Sequence, residues 1–180
     1  LAIGAMILQP VLGENAVWWS MLALPAVYGA LTIWPVAAIA RDHFGKAAGV
    51  IAAWLIAFMP AHVTHSTWGL ADHDSFVMLF IVLGFMFYLR AVKYAGSERL
   101  VRTTSIHPLD MLRAMGAVAR ERKYAMSNAV LAGVAFGAAS LGWKGFVAGP
   151  AILFLAYAAQ VALNMFRRRD STILSTLFLT

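Results

Sequence analysis

The chain has 180 residues, of which 62% are hydrophobic and 12% charged, and a mean hydropathy of +0.76, which excludes an ordinary soluble domain and fits a polytopic membrane protein. A net charge of +6 and a sequence pI near 10.1 raise the question of nucleic acid, but the basic residues lie between apolar runs and form no stripe, so no nucleic-acid partner is expected. Cysteine is absent, which excludes disulfides and thiolate metal sites and leaves oxygen or imidazole as the available metal ligands.

In chain order, the apolar stretch 1–12 reads as the tail of an earlier helix or as part of an outer loop. Five runs then approach the roughly 20 residues that a membrane-crossing helix needs. They cover 17–40, 44–61, 76–88 (extending through Val92), 124–141 and 146–166. A sixth starts near 171 and is still in progress at Leu179-Thr180. Because the chain also opens on Leu1 in apolar sequence with no cleavable signal pattern, it is read as an internal fragment, 1–180, of one transmembrane domain. The expected fold is all-α, a polytopic transmembrane helix bundle with about five complete spans plus partial ones. Trp18-Trp19 fits an aromatic belt, and Pro25 and Pro35 are tolerable inside a membrane helix where neighbours re-satisfy the freed carbonyls. Gly133 and Gly137, four residues apart, permit close helix approach.

Basic residues set the orientation. Arg41 and Lys46 lie between the first two runs. Arg90, Lys93, Arg99, Arg102, Arg113, Arg120, Arg122 and Lys123 lie between the third and fourth, and Arg167, Arg168 and Arg169 follow the fifth. Thirteen of the fourteen Lys and Arg residues thus fall in three alternate connections, which the positive-inside rule makes cytoplasmic. The connection 91–123 is then cytoplasmic. It is either a solvated basic loop or a short helix opened by Pro108, with Leu109, Leu112 and Met115 on one face, lying on the inner leaflet. The segment 62–75 and the turn Gly142-Trp143-Lys144-Gly145 face outward.

The outer segment 62–75 concentrates ligand-type side chains: His62, His65, His73, Asp72 and Asp74. Ionisable groups at a membrane boundary usually mark a site. Two readings stand for the acids. One of them caps the third run, where exposed amides and the helix dipole favour negative charge, while the other is solvated. Alternatively, both hold a divalent cation with His73 nearby, which relieves the repulsion between adjacent carboxylates. His62 reads as an interfacial polar residue and Trp68 as a belt aromatic. Lys144, the one basic residue on the outer side, is positioned to meet an anionic headgroup or a pyrophosphate.

The stretch Ser66-Thr67-Trp68-Gly69-Leu70-Ala71-Asp72-His73-Asp74-Ser75-Phe76 resembles the second acidic motif of oligosaccharyltransferase catalytic subunits, with the similarity strongest over 17–89. In that pattern a basic residue precedes a small or hydroxyl residue and a glycine, followed by Asp, any residue, and Asp or Glu, running into a membrane helix. Here the glycine is Gly69 and the acids are Asp72 and Asp74, while His65 holds the position usually held by Arg. The resemblance implies a GT-C-like membrane glycosyltransferase of archaeal or bacterial type, multi-pass in a prokaryotic plasma membrane with the acidic loop extracytoplasmic. It would transfer an oligosaccharide from a lipid-linked phosphate or pyrophosphate donor to Asn in Asn-x-Ser/Thr of an acceptor polypeptide. Asp72 would be a ligand of a divalent metal, Mn or Mg, with Asp74 a ligand or its support and His73 completing the shell, while His65 and Lys144 would contact the donor. The family's first-loop Asp, later-loop Glu and tryptophan-rich acceptor-recognition motif are not in this sequence, and nothing around Glu14 resembles the first-loop motif. Two other classes compete: a different glycosyltransferase using a polyprenyl-phosphate sugar, and a cation-coupled transporter, which would usually bury acids near mid-membrane.

Overall fold

A computed structural model describes residues 2–69, 73–96, 116, 120–167 and 172–179. The described residues are helical, with no strand among them. In chain order the helices are α1 (Ala2–Leu12), α2 (Ala16–Phe44), α3 (Lys46–Phe58), α4 (Pro60–His65), α5 (Asp74–Ala95), α6 (Lys123–Ser140), α7 (Ala148–Phe166) and α8 (Thr172–Leu179). The ambiguous stretch at the start is therefore a helix, with Pro10 inside it. Pro108 and the inner-leaflet helix expected after it lie outside the described residues.

Among the described residues, three helical stretches are long and apolar enough to cross a membrane: Gly13–Phe44, Asp74–Ala95 and Lys144–Phe166. The second expected run differs. Its helix α3 has 13 residues, about 20 Å at the α-helical rise, against roughly 30 Å of hydrocarbon. The break has a local cause, since the residue before a proline is driven out of the α region. Met59 is accordingly extended, at φ −65° and ψ 118°, and Pro60 opens α4 in a first-turn position that needs no N–H. The fourth run, α6, has 18 residues and carries Lys123, Ser127, Asn128 and Ser140, so it is less apolar than the three.

The chain divides into two compact units, Leu1–Leu83 with Ala138–Phe146, and Gly84–Gly137 with Val147–Thr180. In the first, α2 and α3 form a hairpin. Gly45, at φ +94°, makes the reversal in a region that L side chains rarely adopt, and Gly49 lets the helices close, because a Cβ there would lie 2.8 Å from Arg41 Cβ. Within α2 the buried hydroxyls of Ser20 and Thr32 donate to the carbonyls of Ala16 (2.7 Å) and Tyr28 (2.8 Å), which satisfies them inside their own helix.

In the second unit, Ala91 and Ala95 of α5, Ala125 and Ala129 of α6 and Leu177 of α8 form a buried cluster. Gly84 packs beneath the Phe136 ring, where a Cβ would come within 2.7 Å. By contrast, a Cβ at Gly137 would meet open space among the described residues, so close approach is made at Gly84 and the alanines, away from that end of the Gly133/Gly137 pair. Tyr157 of α7 stacks on Phe178 (centroids 4.4 Å apart) and shares a 2.9 Å hydrogen bond with Ser175.

Small residues sit inside both units while Trp54, Leu55, Phe58, Val134 and Leu155 point outward. Lipid tails are as apolar as these side chains, so a membrane bundle gains nothing by hiding them and gains dispersion by bringing small-residue faces together.

Candidate functional site

Segment 60–76 builds the candidate site in the first unit. Helix α4 has only six residues, too few to hold itself, and its end is tied by its own hydroxyls. Thr64 donates to the Pro60 carbonyl (2.8 Å), Ser66 to that of His62 (2.7 Å) and Thr67 to that of Val63 (2.7 Å). Two histidines three residues apart then serve different partners. His62 Nε2 donates to the Gly29 carbonyl of α2 at 3.1 Å, while His65 Nδ1 lies 3.0 Å from Asp74 Oδ2. His62 is therefore a link between α4 and α2.

Beyond α4 the chain keeps to α2. The Trp68 ring meets Trp19 edge-on at 6.3 Å, and Gly69, at φ +89°, donates its N–H to the Leu22 carbonyl at 3.1 Å. Pro25 of α2 lacks the N–H that would bond the Met21 carbonyl, one residue before that acceptor. Asp72 lies outside the described residues.

Where α5 begins, the His73 carbonyl accepts the Val77 N–H at 3.0 Å, and Asp74 is the first helical residue, set in the positive end of the helix dipole. Asp74 thus stands in the first turn of α5. His73 Nε2 is 3.5 Å from Asp74 Oδ1, so the carboxylate is bracketed by two imidazoles, one on each oxygen. All three side chains remain about half exposed, at 53% for His65, 49% for His73 and 44% for Asp74, so a ligand can reach them.

The far flank comes from the turn after α6. Trp143 faces His73 at 6.4 Å, and Gly142 receives Phe76 and Val77, whose atoms lie 2.9 and 2.7 Å from where its Cβ would be. Phe76 also packs on Tyr28 at 5.4 Å. Lys144 is exposed in the following single turn of 3-10 helix, Lys144–Val147, next in sequence to Trp143. The structure thus brings together His65, His73 and Asp74, with Lys144 on the neighbouring turn.

Among the described residues no group of three or more His, Asp or Glu side chains is disposed to hold a metal ion. What they offer fits a divalent cation in kind. Carboxylate oxygens suit a hard ion, and imidazole nitrogens lie 3.0 and 3.5 Å from the two oxygens of Asp74. Imidazole donors would work against Mg2+, which takes oxygen ligands.

Ser75, which sequence reasoning passed over, is 3% exposed, and its hydroxyl has no hydrogen-bond partner among the described residues. An unmet buried hydroxyl costs about 1–3 kcal/mol. Ser75→Ala is therefore expected to raise the stability of the detergent-solubilised protein by about 1 kcal/mol, read from its thermal midpoint. A fall in that midpoint would mean that the hydroxyl has a partner after all.

Helical among its described residues, with three helical stretches long and apolar enough to cross a membrane, the chain belongs to the class of polytopic membrane proteins. Residues 15–179 match the family "Oligosaccharyl transferase STT3, N-terminal", and the chain belongs to that family. It is also similar to "Dolichyl-phosphooligosaccharide-protein glycotransferase 3" of Archaeoglobus fulgidus, with 30% identity over 156 residues, which is 83% of this chain and 16% of the relative. The chain thus spans about one sixth of the relative it matches. No solved structure matches it.

Proposed function

We propose that this chain supplies part of the catalytic centre of a membrane oligosaccharyltransferase, which moves an oligosaccharide from a lipid-linked phosphate or pyrophosphate donor to Asn in Asn-x-Ser/Thr of an acceptor polypeptide. The observation that carries this reading is the placement, within the family-matched segment, of the Asp74 carboxylate at an accessible helix start, oriented by His65 and His73. The alternation of basic connections supports an extracytoplasmic position for segment 62–75. A prokaryotic plasma membrane is the proposed location, in keeping with the archaeal relative.

An amide nitrogen is a poor nucleophile, so transfer needs groups that hold it against the sugar and groups that stabilise charge on the departing phosphate. Asp74, and Asp72 beside it in sequence, would accept hydrogen bonds from the acceptor amide or ligate a divalent ion. A bound Mn2+ or Mg2+ would supply Lewis-acid stabilisation of the donor phosphates. His65 fixes the rotamer of Asp74 through its 3.0 Å contact, and His73 limits the other oxygen. Lys144, a compact point charge on the adjoining turn, suits the donor's anionic group. The test is direct. The full-length protein in proteoliposomes, given a lipid-linked oligosaccharide and a peptide containing Asn-x-Thr, is expected to yield glycopeptide modified on Asn, and none when that Asn is replaced by Gln. Product on the Gln peptide, or none on either, would contradict the reading.

A further inference from the structure

We propose that Gly29, in the middle of α2 and far from the acidic motif in sequence, is a positioning residue for it. The inference rests on the reading of Asp74 given above. Segment 62–69 does not hang free at the end of a span; it runs along α2 in register. His62 Nε2 donates to the Gly29 carbonyl at 3.1 Å, Gly69 N–H donates to the Leu22 carbonyl at 3.1 Å, and Trp68 meets Trp19 at 6.3 Å. From Gly29 to Trp19 these contacts climb about 15 Å of helix.

The lowest of them is the tightest. A Cβ on Gly29 would collide with Cβ and Oγ of Ser66, and Gly29 itself is buried. The absent side chain is the notch into which Ser66 fits, and the carbonyl of the same residue is the acceptor that holds His62. Ser66 Oγ in turn donates to the His62 carbonyl at 2.7 Å, so the two loop residues on Gly29 are locked to each other. His65, between them on α4, is the residue that meets Asp74. Raising α4 off α2 by the width of a methyl group would therefore carry His65 away from the carboxylate it orients, while Asp74 itself is left unaltered.

Size complementarity makes the proposal testable. In the full-length protein, Gly29→Ala is expected to lower glycan transfer on the order of 100-fold, the scale of an ångström-level misplacement. It should also speed amide hydrogen exchange across 62–69. Ser66→Gly alone, which vacates the notch, is expected to cost only a few-fold. The double variant Gly29→Ala/Ser66→Gly should regain most of the lost activity and the slow exchange of the segment. Wild-type exchange and transfer in Gly29→Ala would overturn the proposal, as would a double variant no better than Gly29→Ala. Asp74→Asn run in parallel separates the two readings: full transfer by that variant removes the catalytic role of Asp74, while the exchange data decide the seat of 62–69 on Gly29 independently.

Discussion

Asp74→Ala and Asp72→Ala, each made in the full-length protein, are expected to abolish glycan transfer while leaving membrane insertion and thermal stability near the wild-type level. The stability half of this expectation follows from exposure. The Asp74 side chain is 44% exposed, so truncating it opens no cavity. The activity half follows from charge. Asp74→Asn keeps the shape and the possibility of a hydrogen bond to His65 but removes the anion. If orientation alone were at stake, Asn would preserve transfer; if the negative charge is needed to hold a cation or an amide N–H, Asn should lose at least about 100-fold, as Ala does. His65→Ala leaves the charge and removes the 3.0 Å brace, and a brace of this kind is worth about 10- to 100-fold. The ordering Asp74→Asn worse than His65→Ala is the expected outcome in a transfer assay. The reverse ordering would move the chemistry from the carboxylate to the imidazole.

Removing divalent ions with a chelator is expected to stop transfer completely, and adding Mn2+ to restore it. This expectation has a physical basis in the proposed donor: a phosphate or pyrophosphate leaving as an anion at the membrane boundary would need charge compensation. Of the residues proposed to face outward, Lys144 is the one Lys, a fixed positive charge. Mn2+ should restore transfer better than Mg2+ if His73 or His65 turns from Asp74 to the ion, because Mg2+ discriminates against nitrogen donors. Equal rescue by both would point to carboxylate ligands only. Transfer unaffected by exhaustive chelation would leave Asp72 and Asp74 with an amide-binding role alone.

The helical class of this chain was legible in composition and in apolar run length, because a bilayer demands long unbroken apolar helices and tolerates little else. The break in the run 44–61 was not, since the run looks continuous in hydropathy although the Met59-Pro60 pair ends α3 after 13 helical residues. Proline 60 was the available signal, and its effect on the preceding residue would have revealed the break. Asp72, His73 and Asp74 stood out because charge is scarce at 12% of the chain. What the pattern did not disclose was which histidine faces which way. His62 and His65 are one helical turn apart on α4, yet one meets Gly29 of α2 and the other meets Asp74 of α5. That division depends on the packing of a helix distant in sequence, which short-range spacing does not encode. Ser75 was invisible for a related reason: its burial is set by neighbours, and serine by itself is an unremarked residue at a helix start.

The inverted size distribution, with alanine and glycine inside and tryptophan and phenylalanine outside, bears on how the site is kept in place. With weak hydrophobic drive between helices, position depends on close fits such as Gly49 against Arg41, Gly29 against Ser66 and Gly142 against Phe76. Two of these three fits border the segment that carries His65 and Asp74, so the polar site is held by contacts where a single methyl group matters.

The proposed role of Asp74, with Asp72, is to help bind a divalent cation on the extracytoplasmic side of the membrane. Mn2+ titration of the full-length protein, followed by the loss of the free-ion electron paramagnetic resonance signal, tests it most directly. Stoichiometric uptake by the wild type and loss of that uptake in Asp74→Asn at unchanged thermal stability is the predicted result. Undiminished Mn2+ uptake by Asp74→Asn would contradict it.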